Sequence, residues 1–228
     1  MQKYLISVDY RKETNMLYFT SDLHFFHKNI LKYTKRPYKH LDDMHAAIIT
    51  EWNSTVQATD TVYHLGDFAF AAKNKAGAVL DILAQLNGTI VLLQGNHDDL
   101  EMWQRLVEIA PHMCELVAPH EIALATSKVR LVAAPYLEIS QVLGDGVGKT
   151  KIIMCHYPIA SWNFQQYGAV HLHGHMHGGC AGLVEGKVLD VGLDSLHSQF
   201  DMLRPISIDE VAAYMAKKPV LRRHGAER

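Results

Sequence analysis

Met16-Leu17-Tyr18-Phe19-Thr20-Ser21-Asp22-Leu23-His24 is a short, almost wholly apolar run that stops on a carboxylate and an imidazole. An apolar run of this length with no alternation reads as a strand buried on both faces, which is the mark of a parallel sheet covered by helices. The pattern recurs. Thr61-Val62-Tyr63-His64-Leu65 closes on Gly66-Asp67, Thr89-Ile90-Val91-Leu92-Leu93-Gln94 on Gly95-Asn96-His97-Asp98, and Lys151-Ile152-Ile153-Met154-Cys155 on His156-Tyr157-Pro158. Helical spacing fills the gaps between the early runs. Met44, Ile48, Trp52 and Val56 fall four apart in a helix expected over 42–56, with Asp42 and Asp43 at its positive amino end. Val79, Leu80, Leu83 and Leu86 stripe a second over 75–86 that Asn87-Gly88 ends, and a third is expected over 99–109. The repeating unit is strand, ligand-type residues, helix. It predicts an α/β fold whose chemistry sits at the carboxyl edge of the sheet.

Val170-His171-Leu172-His173-Gly174-His175-Met176-His177 sets four imidazoles at every second position. Alternate side chains of an extended chain share a face, so a strand bearing His171 and His173 would turn at Gly174 and present His175 and His177. His171 and His173 themselves read as outer partners of that pair or as structural residues. Elsewhere the second half looks richer in hairpins. One is expected from 121–125 to 129–133 around Thr126-Ser127-Lys128, another from Leu183-Val184 to Lys187-Val188-Leu189 around Glu185-Gly186. A further strand is expected over 2–8, with a polar turn over 9–15. Ser207-Ile208-Asp209-Glu210 is a capping box opening a short helix that Pro219 stops, followed by a basic, frayed tail through Arg228. Neither linker nor repeat interrupts residues 1–228, which are read as one domain.

Composition narrows the function classes. With 22 basic against 24 acidic residues, the near-neutral charge predicts no strong non-specific pull toward nucleic acid or anionic lipid. A nucleic-acid substrate is left open by that balance but not indicated by it. Cys114, Cys155 and Cys180 are odd in number and far apart, so neither a disulfide framework nor a zinc knuckle is implied, and a reducing cytoplasm is expected. No apolar run approaches the ~20 residues that span a bilayer, and Met1-Gln2-Lys3-Tyr4 leads into charged residues rather than a signal-peptide core. The unusual feature is the 15 histidines.

Five strand ends therefore converge on Asp22, His24, Asp67, Asn96, His156, His175 and His177. Any one of these could be an ordinary buried polar residue. Seven at one sheet edge would repel and desolvate one another unless cations were present. Carboxylate, amide oxygen and imidazole together suit divalent Mn, Fe, Zn, Co or Ni, and the set exceeds one tetrahedral site, so two metal ions are expected. The basic segment 32–40 carries Arg36-Pro37; Arg36 is a candidate phosphate contact, the alternative being a solvated loop.

The ordered blocks Asp22-x-His24, Gly66-Asp67, Gly95-Asn96-His97-Asp98, His156 and Gly174-His175-x-His177 resemble the calcineurin-like metallophosphoesterases. The resemblance covers residues 21–177 and extends more loosely through Asn163 and Asp190-Val191-Gly192-Leu193-Asp194, where the chain looks like the small bacterial and phage-type phosphoesterases. It implies a four-layer α/β/β/α sandwich, two mixed sheets flanked by helices. By the same resemblance Asp22, His24, Asp67 and His177 would hold one metal and Asp67, Asn96, His156 and His175 the other, with Asp67 bridging and His97 as the catalytic imidazole. Asp98 would orient His97, or else cap the next helix. Ser21 before Asp22, and the absence of Asp-Arg-Gly after Asp67, disfavour the Ser/Thr protein phosphatase branch.

The expected activity is thus hydrolysis of phosphomonoesters or phosphodiesters, with a nucleotide-like or other small phosphoester as substrate. A nuclease or end-processing enzyme is the second reading, and it would need a basic groove, for which 28–39 and the tail are the candidates. A catalytically silent adaptor on the same fold is the third, disfavoured because no ligand is missing. Gly148-Lys149-Thr150 mimics the end of a P-loop, but Leu143 stands where its first glycine belongs.

Overall fold

The computed structural model describes residues 15–144, 148–179 and 182–221. The strand expected over 2–8, the centre of the glycine-rich loop, Cys180 and the basic tail lie outside them. Parallel strands with helical crossovers dominate the first half. In chain order the elements are β1 (Leu17–Thr20), α1 (Ile30–Tyr33), α2 (Leu41–Thr55), β2 (Thr61–His64), α3 (Ala76–Gln85), β3 (Thr89–Leu93), α4 (Leu100–Ile109), β4 (Cys114–Leu116) and β5 (Val129–Val132). The second half adds β6 (Tyr136–Gln141), β7 (Thr150–Cys155), β8 (Val170–His173), β9 (Val188–Asp190), α5 (Leu193–Phe200), β10 (Ile206–Ser207) and α6 (Ile208–Met215).

Two mixed sheets result, ordered β10-β1-β2-β3-β5-β4 and β6-β7-β8-β9. Only β10 in the first and β6 in the second run antiparallel to their neighbours. Strand alternation explains how the layers divide. Val62, Ile90, Leu92, Val129 and Leu131 face Met44, Ile48, Trp52, Leu83, Trp103 and Leu106 of the helices. Phe19, Tyr63, Val91, Leu93 and Val132 point the other way, onto Ile152, Met154, Val170, Leu172 and Leu189 of the second sheet. Each strand thus serves two cores, which is why its sequence is apolar throughout rather than alternating. Leu196, Val211 and Met215 bring α5 and α6 into the intersheet core, and Ser207 and Glu210 close the capping box at the start of α6. The outer face of the second sheet is covered by Trp162, with Ile153, Ala169 and Val184 beside it. This is the α/β sandwich of two mixed sheets and flanking helices that the sequence led one to expect. Among the described residues no helix is long and apolar enough to cross a membrane.

Both expected hairpins are absent. Val129–Val132 lies between β3 and β4, parallel to each, and the residues before it form a single 3-10 turn over Pro119–Glu121. With β3 on one side and β4 on the other, β5 has no free edge for a strand running back along it, and Ile122 buries in the intersheet core. At Glu185-Gly186 the chain does turn, with Gly186 in left-handed backbone, but Val188–Asp190 spends its hydrogen bonds on β8 in parallel register, His171 opposite Val188.

All the parallel strands of both sheets end at one edge. There Ser21 bridges Gly192, joining the two sheets just before Asp22.

Candidate metal centre

Five of the seven candidate ligands leave their strands in left-handed backbone: Asp22 (φ 57°), His24 (54°), Asp67 (58°), His175 (68°) and His177 (48°). A non-glycine residue held there costs about 1–3 kcal/mol, persists only where its surroundings over-determine it, and such residues gather at functional sites. The surroundings are visible. Asp22 N–H donates to Gly66 O at 3.0 Å, and His24 N–H to Asp67 O at 3.0 Å, so the loops after β1 and β2 are laced together. Asp98 accepts from Asp67 N, Phe68 N and Gly95 N at 2.8, 3.1 and 2.8 Å, tying the β2 loop to the β3 loop. His175 N–H donates to Asp22 Oδ2 at 2.9 Å, carrying the lacing across to the second sheet. Two glycines make these approaches feasible. A Cβ at Gly95 would overlap the Asp67 carboxylate and amide, and one at Gly174 would overlap Ser21 and Asp22.

Inside this frame the donors converge. Ligand atoms of Asp22, His24 and His177 lie within 4.8 Å of one another, as do those of Asp22, Asp67 and His156. His24 Nε2 and His156 Nε2 stand 3.5 and 3.6 Å from the same Asp67 Oδ2, so that oxygen lies between the two imidazoles. Asn96 Oδ1 is 2.9 Å from His156 Nε2, and His175 stands edge-on to His156 with ring centroids 5.2 Å apart. Asp22 Oδ1 and His24 Nε2 are buried without a hydrogen-bond partner, 3.9 Å apart. Unpaired buried polar atoms are expensive, and two of them aimed at one space with a shared carboxylate beside them fit a cation. Asp22, His24, Asp67 and His156 form a buried floor, while Asn96 and His97 are exposed at the mouth.

The protonation states of Asp22, His24 and His156 agree with this fit. Burial pushes the Asp22 carboxyl up to about 8, the neighbouring Asp67 adding to it, so a negative Asp22 needs positive charge nearby. Burial holds His24 down to about 2 and lowers His156, keeping both imidazoles neutral and able to offer a lone pair. His156 Nδ1 lies 2.9 Å from Leu65 O, a carbonyl that can only accept; Nδ1 therefore carries the proton and Nε2 faces the cluster. His177 Nδ1 lies 2.7 Å from Asp194 Oδ2, which turns its Nε2 inward in the same way. Burial would lower His177, but the bond to Asp194 outweighs it and raises its pKa. Burial would likewise raise Asp194, yet the bonds from Arg36 and His177 hold it well below the usual carboxylate range.

Two sequence assignments need correction. Arg36 does not face the site as a phosphate contact. Its side chain is 1% exposed, its guanidinium forms a two-pronged pair with Asp194 at 2.8 Å each, and it donates to the carbonyls of Leu23 and Asp22. Asp98 neither orients the His97 ring nor caps α4. Its oxygens are taken by three backbone N–H groups, and the cap is Asp99, which accepts from Glu101 N at 2.9 Å. Burial lifts Asp98 to about 7, against the pull of those N–H donors. His97 sits at the mouth with its ring 5.4 Å from that of His24, and its N–H donates to Asp67 Oδ1 at 2.8 Å. His171 is structural: Nε2 accepts from Ile159 N and Nδ1 donates to Ile153 O, both at 3.2 Å. His173 is buried, with Nδ1 2.9 Å from Gly174 O.

Sequence reasoning gave no role to Asp194, which it quoted only within the looser resemblance, or to His27. Asp194 sits in the first turn of α5, where an acid reads as a partner of the helix dipole. His27 Nδ1 is 3.2 Å from His24 Nδ1, a contact that the i, i+3 spacing hinted at but that a left-handed loop, not a helix, produces.

No family model matches the sequence. An uncharacterized protein of Methanocaldococcus jannaschii is 42% identical over 92 residues, which are 40% of this chain and span about half, 52%, of that protein. The Gene 66 protein of Mycobacterium phage L5 is 25% identical over 170 residues, 70% of this chain and 76% of its own length. Among solved structures, a protein of unknown function from Aquifex aeolicus matches with a TM-score of 0.55 at 21% identity, covering 85% of this chain and 96% of that one. That likeness is one of fold.

Proposed function

We propose that the chain is a metal-dependent phosphoester hydrolase of the calcineurin-like type. One observation carries the reading: acids, an amide and imidazoles from two sheets are gathered around a common space, with Asp22 Oδ1 and His24 Nε2 unpartnered in it and Asp67 Oδ2 between His24 and His156. Asp22, His24, Asp67 and His177 would hold one divalent cation, and Asp67, Asn96, His156 and His175 a second. When bound, two such ions lower the pKa of a water at neutral pH and offset the charge of phosphoryl oxygens. The chain itself supplies the remaining chemistry. Asp67, fixed by the His97 N–H, would serve both ions. His97 reaches the mouth on an exposed turn, where a phosphoester's leaving oxygen would arrive, and a protonated imidazole there would neutralise the departing alkoxide. Outer bonds from His177 Nδ1 to Asp194 and from His156 Nδ1 to Leu65 O would keep the ligand tautomers ready before loading.

The test is hydrolysis of bis-p-nitrophenyl phosphate and of p-nitrophenyl phosphate by EDTA-treated protein with Mn restored. Mn-dependent release from either ester is expected, and the ratio between them separates diesterase from monoesterase. An absence of release from both, with no Mn retained after dialysis, refutes the proposal. Full activity in Asp67→Asn or His97→Ala would refute the roles given to those residues.

A further inference from the structure

A cavity of about 610 Å³ opens beside the candidate metal centre, between the loop after β1, helix α1 and the loop after β2. Its size falls within the range of small-molecule sites, roughly 300–1,000 Å³. Half of its lining residues are rings, Phe26, His27, Tyr33 and Phe70, with Asn29 and Lys75 among the polar groups. Phe70 is 48% exposed and Tyr33 70% exposed. A single exposed aromatic needs no explanation, but these two flank one cavity and are joined to the chemistry by ring contacts. Phe70 stacks on His27 with centroids 4.6 Å apart and planes 24° from parallel, and stands edge-on to His97 at 5.4 Å. His27 in turn lies 5.2 Å from His24. Backbone bonds hold the main chain that carries these rings, Phe70 N to Phe25 O at 2.8 Å and His27 N to His24 O at 3.1 Å.

We infer that this cavity is the seat of a nucleobase, which makes the ester held at the neighbouring centre that of a nucleotide; the inference rests on the phosphoesterase reading above. A planar base needs an exposed ring to stack on, and Phe70 and Tyr33 supply two. Base edges need a mixed donor and acceptor, and the exposed Asn29 amide, which makes no side-chain cap bond to α1, supplies both. Lys75, with its ammonium 5.9 Å from the Phe26 ring centroid, adds positive charge for a nucleotide's further phosphate. An aliphatic leaving group would leave both exposed rings without a stacking partner.

Saturation-transfer NMR on the EDTA-treated chain reads the base without turnover, with adenosine 5′-monophosphate and ribose 5-phosphate as probes. The expected result is transfer to the base protons and an affinity for the nucleotide about 5- to 150-fold above that for the sugar phosphate, the range one stacked base contributes. Phe70→Ala brings that ratio toward one, and Tyr33→Ala, at a largely exposed ring, lowers it by a smaller step. Equal binding of the two probes by the parent chain, or a ratio unmoved in both variants, overturns the inference. Mn-restored hydrolysis separates the two levels. Ribose 5-phosphate and glycerophosphorylethanolamine hydrolysed as readily as adenosine 5′-monophosphate and thymidylyl-thymidine would sink the nucleobase seat and leave the phosphoesterase standing. Base-dependent binding with no ester hydrolysed would support the seat and sink the phosphoesterase.

Discussion

Asp194→Asn tests the outer frame of the candidate metal centre through two readouts at once. The carboxylate takes two bonds from a guanidinium that is 1% exposed and one from His177 Nδ1. Removing its charge strands Arg36 inside the protein, and breaking one partner of a buried ion pair costs about 3–5 kcal/mol. For a chain of 228 residues a loss of that size lowers Tm by roughly 6–20 °C. The same change leaves His177 with a weaker acceptor at Nδ1, and loss of such an outer partner typically weakens metal affinity by about 10- to 100-fold. Stability loss alone could mimic a metal defect, so a matched control is needed. Leu106→Ala, in the helix core beside Trp103, removes a comparable amount by leaving a cavity, about 2–5 kcal/mol, without touching the site. Thermal melting with calorimetric Mn titration of the three proteins, at a temperature where all are folded, provides the comparison. Asp194→Asn is expected to lose both Tm and Mn affinity, Leu106→Ala only Tm. Mn affinity within a factor of two of the parent in Asp194→Asn would show that His177 does not depend on this carboxylate for its ligand role.

Gly95→Ala should abolish activity and metal retention together, because the new methyl overlaps the Asp67 carboxylate and amide; a folded, Mn-retaining, active variant would contradict the close approach. EDTA should lower the melting temperature of metal-loaded protein: saturation at a thousandfold excess over Kd stabilises by about 4 kcal/mol, or roughly 8–16 °C here, and an unchanged melting curve would count against a cation in this frame. Acid should weaken the fold partly through His171, which burial and then the nearby His173 hold down to about 4. Its folded pKa lies below its unfolded one, so the native state binds fewer protons between them; the contribution is complete above about pH 6.5 and is lost as pH falls toward 4, by at most about 3 kcal/mol. Urea midpoints of His171→Gln should therefore fall less steeply than the parent's between pH 7 and 4.5, and parallel slopes would remove His171 from the account.

Much of this architecture is legible in local periodicity. β1, β2 and β3 announce themselves as apolar runs because each feeds both the helix core and the intersheet core, and β7 because it feeds the intersheet core on one face and the cluster under Trp162 on the other. The ligand positions are legible for a related reason: residues that end parallel strands share an edge whatever the loops do. The failures concern partners rather than elements. Thr126-Ser127-Lys128 and Glu185-Gly186 both mark turns, but turn chemistry does not say which strand receives the hydrogen bonds, and β5 and β9 found parallel neighbours. Arg36 and Asp194 are 158 residues apart, so nothing local reveals that the guanidinium is spent on a carboxylate. Asp98 and Asp99 are equally good caps by type, and only the fold shows that Asp99 takes the helix while Asp98 binds three loop amides.

The bridge of Ser21 to Gly192 stitches the two sheets together at one point, and the candidate ligands straddle that stitch. Asp22, His24, Asp67 and Asn96 come from one sheet, His156, His175 and His177 from the other. An ion seated among them would therefore act as a rivet across this seam, and withdrawing it would free the edge that the intersheet core does not cover. Chelation should accordingly loosen amide protection first along this seam, and only later in the helix-covered core.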